Sequence, residues 1–359
     1  VLSELTAAAG RLALVGLAKN TGKTEALAAL LRELEAGGRH VGVTSVGRDG
    51  EERDVINPDI RKPQVLLPGG SIVATTDALL RASALPHDLL QSTGLRTPLG
   101  QVLIARLRGR GALEVAGPSD SAGLRAVSEA MLGYGAEQVL IDGAIDRRAA
   151  SSPAVADGLV MSTGAVLSQD IEEVVAITRD AVELVRLGSV AASAPALGEL
   201  LAGEEPKTVL LSEDLEAVAL APRFVLTSDA EQIARLLAAN PGARWLAVAG
   251  ALPEHFLQAL LQAMRRRDRE LTVVVADPTK VFLSARSVSW YRAQGVELQV
   301  LNPIELKAIT VNPVAPQSHR FDSAQLRALL REAIDGVAIF DVLHSDYEGV
   351  GPALSSTPR

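Results

Sequence analysis

The residues of this chain best suited to chemistry gather in Leu12-Ala13-Leu14-Val15-Gly16-Leu17-Ala18-Lys19-Asn20-Thr21-Gly22-Lys23-Thr24. An apolar run ends at glycine, a short polar loop follows, and Gly-Lys-Thr opens a stretch with helical periodicity. That order suits an anion: backbone N–H groups of the loop and helix start point at it, and the helix dipole favours negative charge there. In a phosphate-binding loop of this kind Lys23 reaches the terminal phosphates of a nucleotide and the Thr24 hydroxyl ligates Mg²⁺. Gly22 allows close backbone approach to a phosphate because it has no Cβ. Gly16, Asn20 and Thr21 belong to the same cradle, and Lys19 either touches a phosphate across an interface or is solvated. The spacing departs from the common pattern. Five residues, not four, separate Gly16 from Gly22, and Leu17 stands where glycine is usual.

Carboxylates come from two further places. Gln138-Val139-Leu140-Ile141-Asp142-Gly143 reads as an apolar strand ending in aspartate, where the carboxylate holds Mg²⁺ directly or through water. Asp146, Arg147 and Arg148 follow and line the same cleft. Gly47-Arg48-Asp49-Gly50-Glu51-Glu52 follows another strand and is either a solvated turn or part of the site. In the second case Asp49, Glu51 or Glu52 sits near Mg²⁺, Asp49 positions an attacking water, and Arg48 contacts a phosphate or an acidic substrate. Asp277-Pro278-Thr279-Lys280 is either a capped turn or a binding element. The five histidines show no metal-ligand spacing.

The elements that must position these residues alternate. Leu12–Val15 predicts a buried strand and 24–35 an amphipathic helix with Leu27, Leu30, Leu31 and Leu34 on one face, stopped by Gly37-Gly38. His40–Val46 predicts a second strand, completing a βαβ unit. Residues 64–76 predict a hairpin or an inserted strand, with Thr75 and Thr76 as caps of the next helix. Two runs around Gly109-Arg110-Gly111 predict another hairpin, and Ser119 or Asp120 caps a helix over 122–132. A strand over 158–163 and a helix over 172–187 follow. Beyond a polar, breaker-containing stretch at 198–206, strands are expected at 208–211, 224–227, 245–249, 271–276, 297–301 and 337–340. Helices fall at 231–239, 255–265 and 287–294, and turns at Leu301-Asn302-Pro303 and Val311-Asn312-Pro313. The class expected is α/β: a P-loop NTPase-type, mostly parallel sheet flanked by helices over 1–200, a second α/β domain over 207–345, and a loose tail over 346–359.

Composition narrows the partners. The chain of 359 residues carries 35 Lys and Arg against 43 Asp and Glu, a net charge of −8, with no dense basic run, which argues against general nucleic-acid binding. The absence of cysteine excludes disulfides, thiolate metal sites and cysteine nucleophiles, and fits a cytoplasmic protein. No apolar run approaches the roughly 20 residues a membrane span needs, and no export signal is read at the start.

The Gly-x₅-Gly-Lys-Thr spacing resembles the dethiobiotin synthetase and cobyrinic acid amidase group of P-loop proteins over about residues 11–190. That resemblance implies a nucleotide on Gly22, Lys23 and Thr24, with Asp49 and Asp142 on the Mg²⁺ side. The chain departs from dethiobiotin synthetase at Asp142-Gly143-Ala144-Ile145, where that family has glutamate-glycine-alanine-glycine, and it lacks the amidotransferase cysteine of the cobyrinic enzymes. Three further stretches, Val15–Thr24, Thr44–Glu51 and Ile141–Arg148, resemble the P-loop accessory family encoded with lysine 5,6-aminomutase, an enzyme of adenosylcobalamin and pyridoxal phosphate. This resemblance implies an Mg²⁺-dependent ATPase that reactivates a cobalamin-dependent aminomutase. The rival is an ATP-dependent small-molecule ligase or kinase, with Arg48, Arg147, Thr279 and Lys280 lining the acceptor site. A third reading is a degenerate nucleotide module, hinted at by Leu17. No Asn-Lys-x-Asp element marks a strand end, which disfavours GTP by the signal-GTPase route, and the class admits a homodimer.

Overall fold

A computed structural model describes residues 1–47, 65–144, 150–190, 197, 207–212, 217–222, 224–265, 270–316 and 319–342. In chain order the elements up to the first long excursion are α1 (Leu2–Thr6), β1 (Arg11–Gly16), α2 (Lys23–Ala36), β2 (Val41–Ser45), β3 (Val65–Leu67), β4 (Ile72–Thr76), α3 (Asp77–Ala82), β5 (His87–Thr97), β6 (Gly100–Leu107), β7 (Gly111–Leu113), α4 (Ser121–Gly133), β8 (Gln138–Ala144), β9 (Gly158–Gly164) and α5 (Ile171–Val185). Then come β10 (Gly188–Ser189), β11 (Lys207–Leu211), β12 (Ala217–Pro222), α6 (Phe224–Thr227), α7 (Ala230–Ala239), β13 (Trp245–Val248), β14 (Leu252–Pro253), α8 (Glu254–Met264), β15 (Leu271–Val275), β16 (Val281–Phe282), α9 (Val288–Ala293) and β17 (Val296–Val300). The chain closes with β18 (Glu305–Asn312), α10 (Ser323–Ala333) and β19 (Ala338–Asp341). It divides into two compact units, 1–179 with 305–359, and 180–304. No helix among the described residues is long and apolar enough to cross a membrane.

The first unit is built on a nine-stranded sheet in the order β19-β18-β9-β1-β8-β2-β4-β6-β5. Every pairing from β19 through β4 is parallel; β6 runs antiparallel to both β4 and β5. Burial on both faces explains the apolar composition of β1, whose five residues Leu12–Gly16 are all buried. Leu12 and Leu14 pack in one cluster with Leu27, Leu30, Leu31 and Leu34 of α2. On the opposite face Gly42 makes room for Met131 of α4, since a Cβ there would lie 3.3 Å from its sulfur. Helices therefore cover both faces, as a parallel sheet requires. The edge strand β5 is bulged, with register shifts around Gln91 and Gly94 at φ +77°, which blunts it against further pairing.

Several expectations are corrected here. Of the two readings of 64–76 the hairpin fails, since β3 pairs with β7 in a separate two-stranded ribbon, while β4 is the inserted strand and joins the main sheet beside β2. For the same reason the runs around Gly109-Arg110-Gly111 part company, β6 to the sheet and β7 to the ribbon. Thr76 occupies the N-cap position of α3 without a side-chain cap bond, and Thr75 Oγ1 instead ties to the Glu114 carbonyl and the Ala116 N–H. Asp120 does cap α4, accepting from the Gly123 N–H at 2.8 Å. The expected second domain over 207–345 ends early, because β18 pairs with β9 along its length and β19 with β18, returning the chain to the first sheet. An apolar run such as 337–340 announces a buried strand but not the sheet that will bury it. The tail over 346–359 lies outside the described residues.

The second unit carries a six-stranded sheet, β10-β17-β15-β13-β11-β12, parallel except for β11, which is antiparallel to both neighbours. Leu246, Val248, Val273, Val275, Leu298 and Val300 face Phe256, Leu257 and Leu260 of α8, while Ala247 and Val274 face the other way with Val209 and Leu211. The stretch 224–227, expected as a strand, is the one-turn helix α6; four apolar residues are too few for periodicity to separate the two.

One buried carboxylate organises the end of α8. Glu254, 7% exposed, accepts from the N–H groups of Ser284, Ala285 and Arg286 at 2.7, 2.9 and 3.0 Å, from the Ser284 hydroxyl at 2.5 Å and from the Tyr291 hydroxyl at 3.2 Å. Burial pushes its carboxyl up, but the Ser284, Ala285 and Tyr291 donors together hold it below the ordinary carboxylate range. Burial and the neighbouring Glu254 charge push the Tyr291 hydroxyl up. A carboxylate lowered in the folded state adds stability that is complete above its unfolded value and lost as pH falls through the folded one. Glu254→Gln is expected to cost about 2 kcal/mol at pH 7 and to flatten the loss of stability below about pH 5. Denaturant unfolding of both proteins at pH 7, 5 and 3.5 checks this.

Candidate functional site

The loop between β1 and α2 folds back on itself. Leu17 N–H donates to the Ser162 carbonyl of β9 at 2.9 Å, fastening the loop's start to the sheet. Thr21 is buried and its hydroxyl donates to the Ala18 carbonyl at 2.9 Å. A Cβ on Gly16 would lie 2.4 Å from that hydroxyl and 3.1 Å from the same carbonyl, so only glycine fits where the strand turns into the loop. The left-handed positions are Asn20, at φ +67°, and Gly22, at φ +88°. Leu17 is not among the described residues with positive φ, so the backbone asks for no glycine where the sequence departs from the common pattern.

Gly22 is the N-cap of α2 and accepts the first helical bond from Ala26 at 2.9 Å. The first-turn N–H groups of Gly22, Lys23, Thr24 and Glu25 have no acceptor within the helix and carry its positive dipole end. Lys23 opens the helix, and its ammonium lies 2.8 Å from Asp142 Oδ1. Asp142 reaches that point because β1 and β8 are adjacent and parallel, with Leu14 opposite Asp142. The pair is about one-fifth exposed on each side, 22% and 23%. Oδ1 itself is enclosed, with the Lys23 ammonium against it. Gly143 behind it has no room for a side chain, since a Cβ would stand 2.6 Å from that of Ala150. Thr24 sits half-buried in the first helical turn.

The structure thus brings together Gly16, Thr21, Gly22, Lys23, Thr24 and Asp142 at the carboxyl ends of adjacent parallel strands, where open α/β sheets take their ligands. Lys19 and Asn20 are exposed on the loop. Arg48, Asp49, Glu51 and Glu52 lie outside the described residues, as do Asp146, Arg147 and Arg148. In the second unit Asp277 accepts from the Thr279 N–H at 2.8 Å and closely from the Thr279 hydroxyl, the bonds of a capped turn.

One residue of this region is absent from the expected set. Asn312, the last residue of β18, donates from Nδ2 to the Asn20 carbonyl at 3.0 Å, and its Oδ1 accepts from the Val314 N–H at 3.0 Å. The turn expected at Val311-Asn312-Pro313 is corrected: the strand runs through Asn312, the Pro313 carbonyl accepts from the Phe321 N–H at 2.9 Å, and Val314 bridges Arg320. Nothing local indicates that this strand lies in the first sheet.

Among the described residues no group of three or more His, Cys, Asp or Glu is placed to hold a metal ion. A divalent cation here would have one carboxylate, Asp142, and one hydroxyl, Thr24, and would complete its shell with ligand oxygens and water. Mg²⁺ accepts that donor set, because it keeps several waters and few protein ligands. Compared with protein-family models, curated proteins and solved structures, the chain finds no match.

Proposed function

We propose that this chain is a cytoplasmic P-loop protein that binds ATP with Mg²⁺ and hydrolyses it. The observation that carries the reading is the Lys23–Asp142 pair at the first turn of α2, a cation and an anion 2.8 Å apart beside N–H groups that have no acceptor within the helix. With nucleotide present the ammonium transfers from the carboxylate to the β and γ phosphates, which outbid one carboxylate in charge. The vacated Asp142 and the Thr24 hydroxyl would hold Mg²⁺, which would supply charge neutralisation on the phosphates. Loop amides from Lys19 to Thr24 cradle the phosphate oxygens, Arg48 adds a cation, and Asp49 orients the attacking water.

The partner reading rests on the three stretches that resemble the accessory family of lysine 5,6-aminomutase. In it hydrolysis drives a conformational change in a cobalamin-dependent aminomutase and so releases its damaged cofactor. Phosphate release from MgATP tests this when measured for the chain alone, with the inactivated aminomutase, and with candidate small acceptors. Slow hydrolysis alone and a several-fold rise with the aminomutase support the reactivase. A dependence on a small acceptor, with no response to the aminomutase, overturns it in favour of a ligase or kinase.

A further inference from the structure

Asn312 stands at the end of a strand more than a hundred residues beyond the phosphate loop in sequence, yet its side chain is built into that loop. Its two polar ends are both engaged, Nδ2 on the Asn20 carbonyl and Oδ1 on the Val314 N–H, each at 3.0 Å. Its Cβ occupies the space beside Gly22, where a Cβ on the glycine would come within 2.9 Å. On the other side Gly164 closes on it, a Cβ there lying 2.1 Å from the Asn312 carbonyl oxygen and 3.0 Å from its Cβ. Asn312 is therefore wedged between two glycines that leave it room, one of them in the left-handed conformation that side chains avoid.

The residue it grips is the unusual one. Asn20 has φ +67°, a conformation few non-glycine residues adopt. Its carbonyl faces Asn312, so the neighbouring loop N–H groups are set by the same rotation. Leu17 is tied to the β9 backbone at the loop's start, and Asn312 ties its far end to β18. We propose that Asn312 is a positioning residue, a latch on the 16–24 loop that presets its N–H groups for phosphate. The ligand it serves is the phosphate chain rather than the nucleoside, because the bond it donates goes to the backbone of the 16–24 loop itself. This rests on the nucleotide reading of the loop.

The test uses the full chain and two variants. Asn312→Ala removes both bonds; Asn312→Asp keeps the acceptor for Val314, puts an acceptor in place of the donor to Asn20 and adds a negative charge, so affinities are read on Asn312→Ala and loop exchange on both. Amide hydrogen exchange is followed across residues 17–24 and across β1 and β8, and inorganic tripolyphosphate and MgATP are titrated separately. Exchange in the loop is expected to rise several-fold in both variants with β1 and β8 unchanged. Affinity for tripolyphosphate and for MgATP is expected to fall together, by about tenfold, the worth of one hydrogen bond. Unchanged loop exchange in Asn312→Asp overturns the latch. So does a loss of MgATP affinity with tripolyphosphate affinity intact, which would put Asn312 on the nucleoside. A wild-type chain that binds neither ligand overturns the nucleotide reading instead, and loop exchange still decides whether the latch exists.

Discussion

Lys23→Ala is expected to lower MgATP hydrolysis about a hundredfold while leaving the fold in place. In the proposed nucleotide complex the ammonium would make charge-assisted contacts to phosphate that sum to roughly 3 kcal/mol, a hundredfold in rate where they strengthen in the transition state. The cost to the unliganded protein is small by comparison. The Lys23–Asp142 pair is partly exposed, and such pairs contribute about 1 kcal/mol or less. Lys23 is the first residue of α2, where alanine is a good helix former and removes no cap, since Gly22 holds that position. Single-turnover phosphate release and a thermal melt on the same sample separate the two effects. A rate within twofold of wild type would remove Lys23 from the chemistry.

Asp142→Asn should split the nucleotide response by metal. In the wild type the carboxylate holds Lys23, and its charge would repel an incoming phosphate chain. The amide does neither. Without Mg²⁺ the variant is therefore expected to bind ATP more tightly than wild type, by about tenfold for one nearby like charge removed. With Mg²⁺ the order reverses, because the amide is a poorer metal ligand, and hydrolysis falls by two orders of magnitude or more. Titrations with and without chelator measure the crossing. A variant weaker under both conditions would assign Asp142 to holding the loop's shape rather than to the metal.

Much of this site is local and so is legible in the sequence. Gly16, Gly22, Lys23 and Thr24 lie within one strand–loop–helix, and the apolar run before Asp142 fixes it at a strand end. What the sequence leaves open is which strands become neighbours. β8 reaches β1 across more than a hundred residues, and β18 reaches β9 only after the whole second unit has intervened. The expected boundary near 200 follows a genuine change in composition. The compact division lies at Arg179, within α5 where no breaker announces it, and again at Ile304, just after Asn302-Pro303. Asn312 is missed for that reason, since its partners Asn20 and Gly22 are defined by sheet order alone. The edge strand β5 is missed because it is half-exposed, carries polar residues at 91–93 and is broken by Gly94, so neither alternation nor an apolar run marks it. Leu17 shows the opposite case. As an exception to a pattern it raises the question of a dead site, and the backbone conformation there removes the need for glycine.

The most direct measurement is a calorimetric titration of the wild-type chain and Lys23→Ala with ATP and with GTP, each with and without Mg²⁺. The account predicts Mg²⁺-dependent binding of ATP by the wild type, weaker binding of GTP, and loss of both in the variant. A wild-type chain that gives no binding with either nucleotide in the presence of Mg²⁺ would contradict it, and the Lys23–Asp142 pair would then stand as a structural ion pair at the mouth of an ordinary α/β sheet.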